Sequence, residues 1–387
     1  MDRNTRNVPL GFPSLGAAEL EAVNETFRSG WVAGQGPRTH AFEEAFAERS
    51  GVAHAIAVNN CTAGLHLALL ALGIGPGDEV LVADYTFPAT GHAVLYCGAQ
   101  PVFVDVRSDT ATIDPLAIEA AITPRTRGVI TVDALGQVAD YDEIEAIAQA
   151  RGLFVLEDAA CATGAVYHGR PTGSFGDAAC FSLHGRKGIT CGEGGVVTTD
   201  DQAIADRVRK LSCFGMESAF SRQQSAQLPI PVFHDLGYNY KLSDILAAIA
   251  FVQLQRLDEL LARRRRAAAR YTAGLRSVAH VAPPAEPADR EQVFQSYAVT
   301  IGEPLQRDRV ALALRDRGIG CNIGTYASHL QPIYASSGVA PLRCPTSARL
   351  FRQHLALPLH AELSDDDVDH VVAVLSEVID EQLAREA

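Results

Sequence analysis

Between residues 51 and 199, short and continuously apolar segments alternate with segments of helical pattern. A strand that is apolar at every position, rather than at every second one, has to be buried on both faces. Six such segments are rich in β-branched and aromatic residues: Val80–Ala83, Val102–Val104, Val129–Val132, Phe154–Leu156, Cys180–Leu183 and Val196–Thr198. Their alternation with helices such as Leu65–Leu72 and Asp142–Ala150 predicts an α/β fold, in which a mostly parallel central sheet is sandwiched by helices.

The chain after residue 241 has a different pattern. Apolar residues recur at helical spacing from Leu242 to Leu261, which predicts one long helix closed by Arg263–Arg266. A proline-containing segment at 282–285 then interrupts the pattern. The elements predicted after it are a strand at Tyr297–Ile301, a helix at Arg307–Arg317 and a helix that starts with the capping pattern Ser364-x-x-Asp367.

The length of the chain, 387 residues, exceeds what one ordinary hydrophobic core organises. The change of pattern after the long helix indicates where the chain divides. We expect a large α/β domain at residues 1–262, which includes the N-terminal segment and the long helix. A smaller C-terminal α+β domain would occupy residues 263–387.

Charge and composition exclude several classes of protein. The 33 basic and 46 acidic residues give a net charge of −13, which is unfavourable for a protein that binds nucleic acid through phosphate contacts. We interpret the arginine run 263–266 as part of a helix rather than as a nucleic-acid patch. No segment approaches the roughly 18 consecutive apolar residues of a membrane span. The N-terminus lacks the apolar core of a secretory signal.

The eight cysteines are scattered along the chain, with no Cys-x-x-Cys pair and no spacing typical of a metal site. In a chain without a secretory signal, this pattern is typical of reduced and mostly buried thiols. We therefore expect a cytoplasmic enzyme without a metal, a membrane partner or a nucleic-acid partner.

Two polar residues follow predicted buried strands and indicate catalysis. Asp158 comes at the end of one strand, where open α/β sheets bind ligands, and Lys187 follows the next strand in a glycine-rich segment. Taken singly, Asp158 could cap a following helix and Lys187 could lie in a surface loop. Together they are what pyridoxal phosphate (PLP) requires, because the amine forms a Schiff base and the carboxylate pairs with the pyridinium nitrogen.

A third segment predicts a phosphate site. The sequence Asn-Asn-Cys-Thr-Ala-Gly at 59–64 leads directly into the helix Leu65–Leu72. Free N–H groups at a helix N-terminus, together with the Thr62 hydroxyl, bind phosphate without a basic side chain. The glycine-rich segment 73–78 follows a helix and precedes a strand, which is the reverse of a dinucleotide-binding motif, so we interpret it as a turn.

These motifs and their order resemble the DegT/DnrJ/EryC1/StrS family of PLP-dependent aminotransferases, the nucleotide-sugar aminotransferases of the aspartate aminotransferase superfamily. The resemblance covers nearly the whole chain and implies the PLP-dependent transferase fold of type I, with PLP bound in the large domain. Besides the segments around Thr62, Asp158 and Lys187, it rests on Pro13–Gly16, Ser29–Val32, Ala71–Val80, Tyr85–Thr90, Gly136–Asp142, Gly237–Asp244 and Leu357–His360.

The resemblance implies a role for particular residues. Lys187 would carry the cofactor as a Schiff base and move a proton between two substrate carbons. Asp158 would bind the pyridine nitrogen. The phosphate would be held by Thr62, Ala63 and Ser182.

Three further positions are implied in the same way. Phe87 would cover one face of the cofactor ring, and Asn239 would reach the phosphate of the neighbouring subunit's cofactor, because the family's sites are shared across a homodimer. Cys161 stands where the family usually carries Gln or His near the phenolic oxygen, and a thiol is a weak hydrogen-bond partner. The segment 323–327 also departs from the His-Tyr-Pro run that many relatives carry near the substrate.

The activity implied by the resemblance is amine transfer. Glutamate or glutamine would convert PLP to pyridoxamine phosphate, which would aminate a keto group of a nucleotide-linked keto-deoxysugar in natural-product or cell-surface glycan biosynthesis. A keto-cyclitol is the alternative acceptor, and the motifs do not separate the two. A sugar dehydratase on this fold would carry His in place of Lys187. A non-catalytic regulator would have lost the lysine, the acid or the phosphate segment. The dehydratase and the regulator are therefore less favoured than the aminotransferase.

Overall fold

The computed structural model describes residues 6–216, 233, 235–336 and 343–386. The seven strands of its central sheet are β1 (His54–Val58), β2 (Glu79–Ala83), β4 (Gln100–Val104), β5 (Thr126–Val132), β6 (Phe154–Asp158), β9 (Ala178–Ser182) and β10 (Gly195–Thr199). Their order across the sheet is β1-β10-β9-β6-β5-β2-β4. Strand β10 is antiparallel to both neighbours, and the other four strand pairs are parallel. The predicted α/β fold with a mostly parallel sheet is confirmed.

Both faces of the central sheet are covered by helices. In β2, Leu81 packs into one hydrophobic core, and Val80 and Val82 pack into another on the opposite face. The Leu81 face is covered by α2 (Pro37–Ser50), α5 (Pro115–Ala121), α6 (Tyr141–Arg151) and α8 (Asp244–Gln255). The opposite face is covered by α3 (Cys61–Ala71), α4 (Ala89–Tyr96) and α7 (Gln202–Ser212). Helix α1 (Ala17–Ser29) packs on α8.

Short strands outside the central sheet connect distant parts of the chain. Strand β3 (Tyr85–Thr86) pairs with β15 (Tyr326–Ala327), so a segment of the C-terminal part lies beside the end of β2. A second small sheet joins β7 (Val166–Tyr167), β8 (Arg170–Pro171) and β12 (Arg290–Glu291).

The prediction of one long helix from Leu242 to Leu261 is wrong. The structure has two helices instead, α8 and α9 (Leu257–Leu275), which meet at Arg256 with φ −94° and ψ 1°. The Arg256 guanidinium donates to the carbonyl oxygen of Ser14, which anchors this break to the N-terminal segment. The arginines at 263–266 do not end α9, because arginine is a good helix former and three alanines follow them.

The C-terminal part is built on a four-stranded antiparallel sheet in the order β11-β13-β16-β14. Its strands are β11 (Val281–Ala282), β13 (Tyr297–Ile301), β14 (Asn322–Ile323) and β16 (His354–Leu357). The helices of this part are α10 (Arg307–Asp316), α11 (Pro332–Ser336), α12 (Pro345–Gln353) and α13 (Asp365–Glu386). The capping pattern before α13 is confirmed, since the Asp367 N–H donates to Ser364 Oγ at 3.1 Å and the Ser364 N–H donates to Asp367 Oδ2 at 3.1 Å.

The predicted domain boundary at 262/263 falls inside α9 and stays a prediction. Leu257, Leu260 and Leu261 pack into the core of the central sheet, and the side chains from Ala267 onward pack into a separate C-terminal core. This change of core supports a division near the predicted position. Val8 packs into the C-terminal core as well, although the prediction counts the N-terminal segment with the large domain. In the described part of the chain, no helix is both long and apolar enough to cross a bilayer.

A buried carboxylate fixes the start of α2 against α8. Gly36, the residue before α2, has no side chain to cap the helix. Asp244, which is 1% exposed, accepts hydrogen bonds from the N–H groups of Gly36, Arg38 and Thr39 at 3.0–3.1 Å. The first turn of α8 therefore supplies the cap that the sequence around α2 lacks.

We expect Asp244→Ala to lower the free energy of unfolding by about 3–5 kcal/mol, because it leaves several buried donors without an acceptor. Urea denaturation followed by circular dichroism measures this change. The matched control is Asp201→Ala, which removes an exposed cap of α7 that accepts from Ala203 and Ile204. It should lower the free energy by only about 1 kcal/mol. Equal losses in the two variants would contradict the special role of Asp244.

Candidate active site

A cavity of about 670 Å³ lies at the carboxyl edge of the central sheet, between the sheet and the C-terminal part. Parallel strands end at this edge, where open α/β sheets bind ligands. Of the eight residues that the sequence singled out, the structure brings six to the wall of this cavity: Thr62, Phe87, Asp158, Cys161, Ser182 and Lys187. Ala63 and Asn239 lie outside the wall.

Lys187 lies in the loop between β9 and β10. Its N–H donates to the His184 carbonyl oxygen at 2.9 Å, and its Nζ lies 3.1 Å from the Cys161 Sγ. Burial alone would lower the pKa of the Lys187 amine, but its contact with Cys161 and the nearby charge of Asp158 raise the pKa above its ordinary value. The amine is therefore protonated unless it reacts.

The other lysines are engaged elsewhere. The chain has three lysines in total. Lys210 forms an ion pair with Asp235, and Lys241 donates to Asn239 and stands over the Phe214 ring. Lys187 is thus the lysine whose amine faces the cavity.

Asp158 is the last residue of β6 and is 4% exposed. Its Oδ2 accepts a hydrogen bond from the Thr90 hydroxyl at 2.7 Å, and its Oδ1 accepts from the Ala160 N–H at 3.2 Å. Burial raises the pKa of this carboxyl, and the Thr90 and Ala160 donors and the Lys187 charge oppose that rise only in part. The segment after Asp158 forms turns rather than a helix, so the helix-cap interpretation is wrong. A buried carboxylate of this kind is stabilised by a cationic partner.

The predicted phosphate segment does begin a helix. Asn60 caps α3 in an extended conformation, and its Oδ1 accepts from the Ala63 N–H at 2.8 Å. The Ala63 N–H is therefore used by the cap, which the sequence did not indicate. A Cβ atom on Gly195 would lie 2.6 Å from the Asn60 carbonyl carbon, so only glycine allows β10 to approach this turn. The Thr62 side chain remains at the cavity wall.

Two other predicted residues flank the cavity. Ser182 ends β9, and its Oγ accepts from the His184 N–H at 3.4 Å. Phe87 is 58% exposed, and its ring lies edge-on to that of Tyr326 at 6.0 Å. A large aromatic ring that is exposed inside a cavity is available to pack on a flat ligand.

Asn239 is exposed and lies between Tyr238 and Tyr240, whose rings stack at 5.0 Å, in an extended segment that forms an antiparallel bridge with Cys213. The Tyr238 ring is also 5.0 Å from that of His66 on α3, edge to face. This segment therefore packs against the helix that begins with the phosphate segment. The Asn239 side chain does not line the cavity of its own chain.

Sequence reasoning missed the opposite wall of the cavity. Thr90 lies in the segment Tyr85–Thr90, on which the family resemblance rests in part, but its contact with Asp158 was not predicted. The C-terminal part adds polar side chains at Gln295, Ser296, Asn322, Thr325 and Tyr326. The only sequence signal for this wall was the departure at 323–327 from the run that relatives carry there.

One group of possible metal ligands occurs among the described residues. Asp84, His329 and Cys344 place ligand atoms within 4.8 Å of one another. The Asp84 carboxylate already accepts hydrogen bonds from the His329 backbone N–H at 2.7 Å and from the Ser347 hydroxyl, and its Oδ2 lies 2.6 Å from His329 Nδ1. Burial raises the pKa of the Cys344 thiol, which keeps the thiol neutral. These contacts join the residue between β2 and β3 to the C-terminal part without an ion, and the expected absence of a metal stays a prediction.

The donors around the cavity fit PLP. Lys187 offers an amine for its aldehyde carbon, Asp158 a buried carboxylate for its ring nitrogen, and Thr62 a hydroxyl at a helix N-terminus for its phosphate.

Comparison with known proteins agrees with this chemistry. The model of the DegT/DnrJ/EryC1/StrS aminotransferase family matches residues 13–376. The chain is 39% identical over 378 residues to the spore coat polysaccharide biosynthesis protein SpsC of Bacillus subtilis, with 96% of this chain and 97% of that protein covered. It is 40% identical over 375 residues to GDP-perosamine synthase of Caulobacter vibrioides, with 96% and 98% covered.

A solved structure extends the comparison to the fold and the cofactor. Spr1654 from Streptococcus pneumoniae, in its pyridoxamine phosphate (PMP) form, superimposes with a TM-score of 0.91 at 28% identity, over 98% of this chain and 100% of that chain. The same protein has also been solved in its PLP form. The protein described here therefore belongs to the DegT/DnrJ/EryC1/StrS aminotransferase family and is a PLP-dependent aminotransferase.

Proposed function

We propose that the protein transfers an amino group from glutamate or glutamine to the keto group of a nucleotide-linked keto-deoxysugar. The observation that carries the proposal is that Lys187 and Asp158 meet in one cavity, with Asp158 at the end of β6 and Lys187 in the loop after the adjacent parallel strand β9. The name of GDP-perosamine synthase supports a nucleotide-linked acceptor. The eight free cysteines support a cytoplasmic location.

When bound, PLP supplies an electron sink that weakens bonds at the substrate carbon next to the nitrogen. Lys187 Nζ holds the cofactor and, once released, moves a proton to and from that carbon. The main chain of Lys187 is held because its backbone N–H donates to the His184 carbonyl oxygen, so the side chain leaves the loop from a fixed position. The Asp158 carboxylate holds the proton on the ring nitrogen, and Thr90 keeps that carboxylate oriented.

The remaining proposed contacts bind and orient. Thr62, Ala63 and Ser182 would hold the phosphate, and in the case of Ala63 this requires the Asn60 side chain to release its N–H. Phe87 would cover the ring. Cys161, which contacts Lys187 Nζ, would lie near the phenolic oxygen in place of a stronger hydrogen-bond partner.

The proposed function predicts that ¹⁵N appears on a keto sugar when the PLP-loaded protein is incubated with ¹⁵N-glutamate. Mass spectrometry of a panel of nucleotide-linked keto sugars and keto-cyclitols measures the transfer. Lys187→Ala should abolish it, together with the visible absorbance of the bound cofactor, because the amine at the cavity is lost. Lys210→Ala removes a lysine far from the chemistry and serves as the matched control, with unchanged transfer.

Transfer to cyclitols alone would reject the nucleotide-linked acceptor. Transfer that survives Lys187→Ala would assign the chemistry to another amine.

We expect Asp158→Asn to fold normally and to lose turnover by about a hundredfold or more, since a neutral amide does not stabilise a proton on the ring nitrogen by charge. Steady-state kinetics measures the loss, and circular dichroism checks the fold. Asp158→Glu keeps the charge and should retain more activity than Asp158→Asn. If Asp158→Asn turned over at the wild-type rate, the carboxylate would have no part in the chemistry.

We further propose a homodimer with shared active sites, in which Asn239 reaches the partner's cofactor phosphate. The support is that the Asn239 side chain is exposed and lies away from its own cavity, and that Thr62 and Ser182 offer the phosphate only hydroxyl groups. A closed two-fold pairing would present the same segment to both sites.

Mixing inactive Lys187→Ala with inactive Asn239→Ala should restore part of the activity, because one site of each mixed dimer then combines a wild-type lysine with a wild-type asparagine. Differently tagged chains allow the mixed dimer to be purified and assayed. Each variant re-mixed with itself is the control. A mixed dimer that forms but stays inactive would mean that Asn239 acts within its own chain.

A further inference from the structure

The arginine run 263–266 contains one member unlike the others. Arg263, Arg265 and Arg266 have side chains at least 36% exposed, and each lies within ion-pair distance of a carboxylate. Arg264 is 5% exposed. In the described part of the chain, no carboxylate pairs with its guanidinium, and burial lowers its pKa to about 10.

The Nη1 and Nη2 groups of Arg264 are directed at main-chain carbonyl groups, whereas its Nε is buried without a hydrogen-bond partner among the described residues. Its Nη2 donates to the Lys187 carbonyl oxygen at 3.2 Å. Its Nη1 lies 3.3 Å from the carbonyl oxygen of Phe294, 3.4 Å from that of Gln295 and 3.4 Å from that of Leu359. One side chain on α9 therefore joins three segments that are far apart in sequence, and one of them is the loop of Lys187.

The second of these segments, residues 293–296, forms a strap along the cavity wall. Phe294 has a φ of 48°, in the left-handed region that is unfavourable for a side chain of this size. The strap also holds the Lys187 loop directly, since Gln295 Nε2 donates to the Arg186 carbonyl at 3.2 Å. Its Ser296 N–H donates to the Leu135 carbonyl at 3.2 Å. Arg264 thus supports a strained strap and the lysine loop at the same time.

A buried cation without an anion is unfavourable unless its donors are satisfied. With a pKa of about 10 the Arg264 guanidinium stays charged at neutral pH, and the charge strengthens its hydrogen bonds to the carbonyls. Burial and the positive charge of Arg264 lower the pKa of the neighbouring His360, which favours its neutral form, so this imidazole adds no second positive charge. A lysine at this position has a single nitrogen in place of the planar fork and would not reach all of these carbonyls.

We propose that Arg264 is a positioning residue for amine transfer, which holds the main chain of Lys187 against the strap so that Nζ stays directed into the cavity. The Lys187 N–H is bonded to His184 and the Lys187 carbonyl to Arg264, so the residue is fixed on both sides. Arg264 itself does not line the cavity. The inference rests on the proposed function of Lys187.

The test compares Arg264→Lys with the same substitution at Arg266, which lies two residues further along the same helix and has a side chain that is 69% exposed. For each PLP-loaded variant we would titrate the visible absorbance of the Lys187-bound cofactor against pH, and measure kcat, both KM values and Tm. We expect Arg264→Lys to shift the spectral midpoint by about half a pH unit or more. It should lower kcat by about tenfold or more, and change the KM values by less than about twofold. Arg266→Lys should match the wild type in every readout.

A merely structural arginine would give a different result. If Arg264→Lys lowers Tm but leaves the spectral midpoint and kcat at wild-type values, the proposal is overturned. Failure of Arg264→Lys to fold would overturn it too, because the proposal assigns Arg264 a role that the fold does not need. The spectral titration requires no sugar, so it reports on Arg264 even if the wild-type protein transfers no amine. A wild-type protein that transfers no amine would reject the proposed function and leave the proposal for Arg264 to the spectral result.

Discussion

The parallel pairing of β6 with β9 is the constraint on which the cavity depends. Because the two strands run in the same direction, Asp158 and the loop that follows Ser182 leave the sheet at the same edge. The antiparallel β10 then returns the chain from the Lys187 loop to the sheet, beside β1 and the start of α3. Strand direction thus places the amine, the carboxylate and the helix N-terminus around one space before any side chain contact is considered.

Burial and neighbouring groups shift the pKa values of the ionisable groups in that cavity. The Asp158 carboxyl is satisfied by one hydroxyl and one N–H, and its pKa still stays raised because it is away from water. A cation at the bound cofactor ring would relieve this penalty, which explains why a buried acid without an arginine partner is stable in such a site. Lys187 has the converse arrangement, since its neighbours favour the charged amine that burial alone would disfavour.

The C-terminal part supports the site mainly through backbone groups. Strand β15 pairs with β3, and the strap at 293–296 bonds to the loop after β5 and to the lysine loop. Arg264 collects carbonyl groups from both parts of the chain. The β3–β15 pairing uses backbone groups alone and depends little on residue identity, whereas the contacts of Gln295 and Arg264 depend on those two side chains. The geometry of the cavity is therefore held both by the path of the chain and by these side chains.

The sequence by itself determined the α/β class, six of the seven central strands, the placement of Asp158 and Lys187 after buried strands, and a helix start at 59–64, because each follows from a local pattern of apolar and polar residues. It did not single out β1 as a strand. It did not determine the break at Arg256, the use of the Ala63 N–H by Asn60, or the contact of Thr90 with Asp158. Nor did it distinguish Arg264 from the other three arginines of the run 263–266, which have the same helix propensity. The burial of the four side chains differs only once α9 packs between two cores. The Asn60 cap is a local contact between residues three positions apart, and Asn is a common N-cap residue. Tertiary structure decided the other features, because each depends on which groups, tens to hundreds of residues apart, are brought together when the helices pack on the sheet and water is excluded.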